Sequence, residues 1–312
     1  MALPMSGAAW DNVKAAMSST VTANVADQNS THDIVVMGQA LYAVRTGDAA
    51  ARTKALASLA SGIGTESGAR WLAIGRNLGG YIIAADLLDV RSGPTYDWLA
   101  SFATRKLAHN NSGEPVTMRQ SAWVSGSNAS AQEGFVASAL AVYLGDKSLL
   151  DWSWTAFRRY AGDRSSSHHI TSNSDAWQLV PADPVGIQDK GAVKSGIRLD
   201  GAISNDMSRG GGLVWPPGYT SYPWVGLEGA VPAAVVLSRQ GFPAWTVADS
   251  ALRRAAEYLW AVRQASGNVD WYDTSRAPEV KHVLNDRYAL GYPEGPTKLG
   301  ARTFSFTDWL AP

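Results

Sequence analysis

Residues 135–160, FVASALAVYLGDKSLLDWSWTAFRRY, contain the pattern that decides the fold. An almost wholly apolar run, residues 135–144, ends at Gly145-Asp146, and a second run, residues 148–160, carries its basic side chains on one face. Apolar side chains at helical spacing predict α-helices, and glycine commonly ends a helix. The stretch therefore predicts a helical hairpin, in which a buried helix is followed by an amphipathic one.

The same order of elements recurs in three other parts of the chain. Each part has an apolar helical run, a glycine turn and an amphipathic run: residues 34–44 and 49–59, 72–90 and 96–107, and 231–239 and 245–263. The turn glycines, Gly47, Gly93, Gly145 and Gly241, are 46, 52 and 96 residues apart. Such a period is typical of repeated helical hairpins, and the last interval equals about two repeats with an insertion in place of one hairpin.

The two helices of each predicted hairpin differ in their surroundings. A helix that is apolar on all sides must be covered on all sides, so the first helices are expected to form an inner ring and the second helices an outer ring. The sequence thus predicts an all-α fold, an α/α toroid built as an incomplete barrel of hairpins. We expect a single domain over residues 1–312, with an irregular insertion or lid at about residues 161–221. An open α-solenoid of the same hairpins is the alternative.

Composition and motifs exclude several classes of function. Lys+Arg and Asp+Glu both number 27, so no net field favours nucleic acid or an anionic membrane, and no apolar run is long enough to span a bilayer. No metal and no cofactor are expected, because Cys is absent, His168 and His169 are adjacent, and no phosphate-binding or dinucleotide-binding fingerprint exists. The 13 Trp residues, several in polar settings, suit stacking on sugars or bases, and the alternative is that most of them pack between helices.

Polar segments precede the predicted inner helices. If these helices run in the same direction, their starts share one rim, which we define as residues 28–33, 70–77, 125–132 and 219–224. Capping explains the Ser, Thr, Asn and Asp residues there, whereas it does not require residues such as His32 or Arg76. Helix N-termini also favour anions. The sequence therefore predicts a cleft for an anionic ligand at the rim.

Residues 199–229, LDGAISNDMSRGGGLVWPPGYTSYPWVGLEG, bring a cation and phenols to the start of the last repeat. An arginine can hold a carboxylate bidentately, and a cation beside a phenol favours the phenolate. Arg209 and Asn128 could thus neutralise a uronate carboxylate, while Tyr222 removes the C5 proton and protonates the O4 leaving group. The structural alternatives are a surface pair of Arg209 with Asp206, a core tyrosine and an N-cap asparagine.

Carboxylates in the same stretch offer a second hypothesis. Asp200, Asp206 and Glu228 could supply the pair that a glycoside hydrolase needs, although Asp200 and Asp206 could equally serve turns and caps. Glu228 lies within an apolar helical pattern and needs a partner such as Arg209 if it is buried. A non-catalytic glycan-binding domain that uses the tryptophans is the third hypothesis.

Five segments together resemble one known family: HDIVVMGQALYAVRTGD, RWLAIGRNLGGYIIAADLL, NASAQEGFVASALAVYLGD, RLDGAISNDMSRGG and WPPGYTSYPWVGLEG. Their order over roughly residues 30–265 is similar to the alginate-lyase superfamily of helical-toroid polysaccharide lyases, and closest to its glucuronan-lyase-like bacterial and phage branch. The resemblance implies an α/α toroid and β-elimination of uronate polymers. It matches Asn128 and Arg209 to the residues that bind the carboxylate and Tyr222 to the acid/base.

One position departs from that family. Alginate lyases commonly have His directly after the Asn, whereas this chain has Ala129, so His32, His168 or His169 is expected to assist; we place His169 among the catalytic candidates. A lone tyrosine suffices for syn elimination, which favours β-D-glucuronate or β-D-mannuronate, and Tyr219 competes with Tyr222 for this part. The candidate substrate-binding residues are His32, Arg76, Asn77, His168, Trp215, Tyr219 and Trp224.

The expected partner is an acidic polysaccharide, with no nucleic acid and no membrane, and the protein is expected to be a monomer. The expected location is extracellular, periplasmic or virion-associated, although the first residues, MALPMSGAAW, lack the pattern of a signal peptide.

Overall fold

The computed structural model describes residues 3–273, 275, 277–296 and 304–310. These residues form thirteen α-helices, which are α1 (Ala8–Ser18), α2 (His32–Thr46), α3 (Ala49–Ala60), α4 (Trp71–Leu87), α5 (Pro94–Ser101), α6 (Met118–Ser121), α7 (Asn128–Leu144), α8 (Lys147–Tyr160), α9 (Ser204–Met207), α10 (Tyr222–Arg239), α11 (Val247–Ser266), α12 (Pro278–Tyr288) and α13 (Thr307–Leu310). The prediction of an all-α fold is confirmed. None of the described helices is long and apolar enough to cross a membrane.

The described strands are short and form two antiparallel pairs. Strand β1 (Leu107–Ala108) pairs with β2 (Pro115–Val116), with Leu107 opposite Val116. Strand β3 (Val193–Lys194) pairs with β4 (Ile197–Arg198) inside the insertion.

The helices of all four predicted hairpins are present in the predicted order, as α2 and α3, α4 and α5, α7 and α8, and α10 and α11, and α5 packs against α3 and α7. Three boundaries differ from the prediction by more than three residues. Helix α10 begins at Tyr222 rather than residue 231, because Gly226, Glu228 and Gly229 interrupt the apolar run in its first turns. Helix α5 ends at Ser101 rather than residue 107, because the chain turns there and enters strand β1. Helix α7 begins at Asn128 rather than residue 135, since polar side chains occupy its buried first turns and mask the apolar signal.

A Gly-Asp pair makes two of the hairpin turns. Gly47 and Gly145 end α2 and α7 with φ values of 71° and 67°, a backbone conformation that glycine adopts without strain. The next residue caps the following helix: the Asp48 carboxylate accepts the N–H groups of residues 50 and 51, and that of Asp146 accepts the N–H of residue 149. The dipeptide therefore both ends one helix and begins the next.

The first helices of the hairpins, α2, α4, α7 and α10, pack against one another in chain order, and we call them the inner helices. Helix α1 packs on α2 at one end of the series, α12 packs on α10 at the other, and the short helix α13 contacts both α12 and α1. Buried side chains from Val25 to Leu284 form one continuous hydrophobic cluster. A smaller cluster joins Trp10 of α1 to Phe306 and Trp309.

The four inner helices run in the same direction. A cavity of about 380 Å³ is lined by the middle and C-terminal parts of all four, including Met37 and Leu41 of α2, Leu87 of α4, Val142 of α7 and Val236 of α10. Their N-terminal ends therefore lie at the opposite end of the bundle, where the rim was predicted. A second cavity of about 330 Å³ at that end is lined by residues of two rim segments, among them Gln28 and Arg70.

Glycines allow consecutive inner helices to touch through their backbones. A Cβ atom on Gly80 of α4 would lie 2.8 Å from the carbonyl oxygen of Asp33 in α2, and one on Gly75 would lie 2.9 Å from the amide nitrogen of Glu133 in α7. A Cβ atom on Gly229 of α10 would lie 2.3 Å from the carbonyl carbon of Ala131 in α7. Because the opposing atoms belong to the backbone, a side chain at these positions would have to push the helices apart.

We expect Gly229→Ala to lower the free energy of unfolding by about 3 kcal/mol, because the methyl group overpacks two rigid helices. Gly212→Ala is the matched control, since a Cβ atom there meets nothing within 4 Å. Urea unfolding followed by circular dichroism measures both. Equal stability of the two variants would contradict the close contact between α7 and α10.

Candidate functional site

Arg209 and Tyr222 lie together at the rim, as the sequence analysis expected. Arg209 belongs to a 3₁₀ turn (Ser208–Gly210) after α9, and Tyr222 is the first residue of α10. The guanidinium carbon of Arg209 is 5.2 Å from the centre of the Tyr222 ring, a cation–π distance. Tyr222 is 40% exposed and Arg209 is also exposed, so a ligand can reach both side chains.

The loop between Arg209 and Tyr222 folds back on itself. A Cβ atom on Gly210 would lie 2.0 Å from the carbonyl oxygen of Gly218, so the two glycines meet backbone to backbone. The indole N–H of Trp177 donates a hydrogen bond to the carbonyl oxygen of Gly211 at 2.9 Å. Glycine at these places therefore lets the loop close and return the chain to Tyr222.

Two exposed aromatic rings belong to the same loop. Trp215 and Tyr219 are each 39% exposed. Trp215 packs edge-on against Tyr258 at 5.9 Å, and Tyr219 packs edge-on against Trp271 at 5.4 Å. Each ring is thus supported from one side while part of its surface faces solvent.

Asn128 is joined to a buried carboxyl group. Its backbone N–H and its side-chain Nδ2 both donate to Oδ1 of Asp206, at 3.1 Å and 2.9 Å. Asp206 is only 1% exposed, and burial raises the pKa of its carboxyl to about 7, although the bonds from Asn128 and the charge of Arg209 oppose this rise. Asp206 therefore connects Asn128 to Arg209 from beneath the surface.

Tyr160 and Gly226, which no sequence pattern marked, complete the surroundings of Asp206. A Cβ atom on Gly226 would lie 2.6 Å from Oδ2 of Asp206 and 3.1 Å from the hydroxyl oxygen of Tyr160. Both oxygen atoms are buried and have no hydrogen-bond partner among the described residues. Burial raises the pKa of Tyr160, and the charge of Asp206 raises it further. Tyr160 is the last residue of α8, where no local pattern in the sequence distinguishes it from a core aromatic residue.

Trp224 and His32 lie in the interior rather than on the surface of the rim. The indole N–H of Trp224 donates to the carbonyl oxygen of Trp271 at 2.8 Å, and the ammonium of Lys281 lies 4.4 Å from the centre of its ring. His32 lies with Nδ1 2.6 Å from the hydroxyl oxygen of Tyr81. Burial lowers the pKa of His32 to about 4, so the imidazole is neutral at pH 7. Both side chains pack between helices, as buried aromatic residues usually do.

Arg76 and Asn77 bind other parts of the protein. Nε of Arg76 donates to Gln132 Oε1 at 3.2 Å, and Nε2 of Gln132 donates to Glu228 Oε2 at 3.3 Å. Glu228 thus has Gln132 as a partner, where the sequence analysis suggested Arg209. Nδ2 of Asn77 donates to the carbonyl oxygens of Val25 and Asp27, which fixes the loop before α2. A buried polar chain therefore crosses α4, α7 and α10 below the rim.

The two adjacent histidines of the insertion have different surroundings. Nε2 of His168 lies 3.0 Å from the carbonyl oxygen of Trp123, and burial lowers the pKa of His168. His169 is exposed. The N–H of Thr171 donates to the carbonyl oxygen of Val124 at 2.8 Å, so this segment lies beside the chain that leads to Asn128. No hydrogen bond joins His169 to Arg209 or Tyr222 in the described part of the chain.

Within the described residues, no group of three or more His, Asp or Glu side chains is placed to hold a metal ion.

Glu133 of α7 is a buried carboxyl group, and its protonation links the stability of the fold to pH. Its Oε1 accepts a hydrogen bond from Nδ2 of Asn110 at 2.6 Å, and burial raises its pKa to about 7 from an ordinary value of 4.5. Between these two values the unfolded chain releases the proton while the folded chain retains it. This group therefore stabilises the fold least above pH 7, and its contribution increases as the pH falls.

We expect the free energy of unfolding of the wild type to decrease between about pH 5 and about pH 7.5. This decrease should exceed the decrease in Glu133→Gln by about 2 kcal/mol. Urea denaturation at both pH values measures the difference. Parallel pH dependence in the two proteins would show that Glu133 does not retain its proton.

No family model matches the chain, and no curated protein or solved structure matches it either.

Proposed function

We propose that the protein is a polysaccharide lyase that cleaves a glucuronate- or mannuronate-containing polymer by β-elimination. The observation that carries this proposal is the exposed pair of Arg209 and Tyr222, with the guanidinium 5.2 Å from the phenol ring. Asn128, held at the start of α7 by Asp206, supplies an amide at the same end of the bundle. A cation and an amide can neutralise the carboxylate of a uronate, and a phenol can act as the acid/base.

Each group has a defined part in the proposed reaction. Arg209 and Asn128 neutralise the carboxylate of the uronate, which makes the adjacent C5 proton more acidic. The Tyr222 phenolate takes that proton, a double bond forms between C4 and C5, and the C4–O4 bond breaks. The leaving oxygen takes the proton back from Tyr222. Both steps occur on one face of the sugar, which fits β-D-glucuronate and β-D-mannuronate.

His169 is the histidine that we propose as an assisting group. It is exposed, and its segment lies beside residues 124–125, shortly before Asn128. His32 and His168 are occupied by contacts with Tyr81 and Trp123.

We also propose that the inner helices belong to an α/α toroid of the alginate-lyase superfamily type. Their common direction, their packing in chain order and the cavity that all four line support this arrangement. In a toroid the N-terminal ends of the inner helices would surround the substrate cleft. Arg70, Asn128 and Tyr222 would then face the same polymer chain.

The carboxyl groups fit the lyase better than a glycoside hydrolase. A hydrolase needs two carboxyl groups in contact with the scissile bond. Asp206 is fully buried beneath Asn128, and Glu228 is buried beside Gln132. Asp200 forms an ion pair with Arg254 at 2.8 Å. None of these three carboxylates is therefore placed to flank a bound sugar.

Tyr222→Phe is expected to lower elimination roughly a hundredfold or more, because the variant has no acid/base. The assay incubates the protein with glucuronan, alginate and hyaluronan and follows the absorbance of the unsaturated uronate. Tyr219→Phe is the matched control and should keep most of the activity. Full activity of Tyr222→Phe, with loss in Tyr219→Phe, would assign the chemistry to Tyr219. New reducing ends without that absorbance would indicate a hydrolase, and binding without products a glycan-binding domain.

Arg209→Ala is expected to weaken binding of an oligoglucuronate at least roughly tenfold, since the substrate carboxylate loses a charge-assisted hydrogen bond. A neutral cello-oligosaccharide of the same length is the control ligand and should bind the variant and the wild type alike. Calorimetry on both ligands tests this. Equal loss for the two ligands would mean that Arg209 supports the loop rather than the carboxylate.

A further inference from the structure

Asp206 is a buried carboxyl group that joins two residues of the proposed site, Asn128, which is itself only 6% exposed, and the exposed Arg209. Its Oδ1 accepts two hydrogen bonds from Asn128, one from the backbone and one from the amide. These two bonds fix both the start of α7 and the plane of the Asn128 side chain. The second hydrogen on Nδ2 of Asn128 is left to donate elsewhere.

The groups around Asp206 come from several packed elements. On α7 the facing group is Asn128, and on α8 it is the hydroxyl of Tyr160. The turn after α9 contributes the positive charge of Arg209. Helix α10 contributes Gly226 at the contact and carries Tyr222 and Glu228, and the 3₁₀ turn Asp175–Trp177, which packs on α9, carries Asp175.

We propose that Asp206 is a positioning residue that orients the Asn128 amide and makes anion binding at Arg209 depend on whether Asp206 carries a proton. The proposal rests on the proposed function for its ligand, a uronate carboxylate. When Asp206 is neutral, the positive charge of Arg209 is fully available to the ligand. When Asp206 is ionised, its negative charge opposes that of Arg209, and an anion binds more weakly.

The direction of the pH effect follows from burial. Burial raises the pKa of the Asp206 carboxyl to about 7. Below that value Asp206 is neutral and a uronate binds tightly, whereas above it Asp206 is ionised and binding weakens. Turnover also depends on the proton transfers of the proposed reaction, so binding has to be measured separately from turnover.

The structure indicates which variant tests the charge without breaking the contacts. Asp206→Asn keeps an acceptor for both donors of Asn128, and its new amide group lies near the Tyr160 hydroxyl oxygen, which can accept a hydrogen bond. Asp206→Ala removes the acceptor, so the backbone N–H and the side-chain Nδ2 of Asn128 both lose their hydrogen bond to residue 206. Asp206→Asn removes the negative charge but still orients the Asn128 amide, whereas Asp206→Ala removes both the charge and the orienting hydrogen bonds.

The experiment uses Tyr222→Phe as the background, so that a bound oligosaccharide is not cleaved. The dissociation constant of a triglucuronate is measured by calorimetry from about pH 5.5 to about pH 8.5. We expect it to rise roughly fivefold over this range in the background protein and to stay constant when Asp206→Asn is added. Asp206→Ala should bind weakly at every pH. Cellotriose, the uncharged counterpart, should show no pH dependence.

A further variant keeps the possible outcomes of this experiment distinct. His169→Gln in the same background measures any contribution of the exposed imidazole, and we expect it to keep the pH dependence. An unchanged pH dependence in Asp206→Asn would overturn the inference even if the wild type is an active lyase. If the wild type eliminates no uronate polymer but binding shows the Asp206 effect, the proposed function fails and the inference stands. Failure of any uronate to bind at about pH 5.5 would overturn both.

Discussion

The backbone contact between consecutive inner helices is the constraint on which the rest of the structure depends. Gly75, Gly80 and Gly229 leave no room for a side chain, so each helix is held at a fixed height against its neighbour. Gly229 lies about two turns after Tyr222, and it touches α7 within about one turn of Asn128. A shift of α10 along α7 would therefore change the position of Tyr222 relative to Asn128. Close packing of this kind is rigid because backbone atoms cannot change rotamer.

The close contact also explains why the buried polar groups are connected. Arg76, Gln132 and Glu228 face one another across three inner helices and satisfy one another through hydrogen bonds. Burying a charged group costs several kcal/mol unless it is paired or neutral. Asp206 and Glu133, whose pKa values burial raises to about 7, reduce this cost by keeping their protons at lower pH. At Arg209 and Tyr222 the polar residues of the rim are exposed, and there a ligand can supply the missing partner.

Local sequence patterns predicted the helices well because helix formation depends on neighbouring residues. Apolar runs and turn glycines located the four hairpins, and the polar starts of the inner helices located the rim. The proximity of Arg209 and Tyr222 was predicted from their chemistry within one short stretch. The contact between Asn128 and Asp206 was not predicted, since it joins residues 78 positions apart and depends on how two helices pack. His32 and Trp224 were expected to bind substrate, but their positions at helix starts do not reveal that Tyr81 and Lys281 cover them.

The fate of the C5 hydrogen tests the central claim, that Arg209, Asn128 and Tyr222 carry out β-elimination on a uronate. An oligoglucuronate deuterated at C5 can be incubated with the protein, and the products analysed by mass spectrometry. Each cleavage should release one deuterium to solvent and produce an unsaturated end, more slowly than with the protiated substrate. Products that keep every deuterium and gain water at the cleaved bond would contradict it.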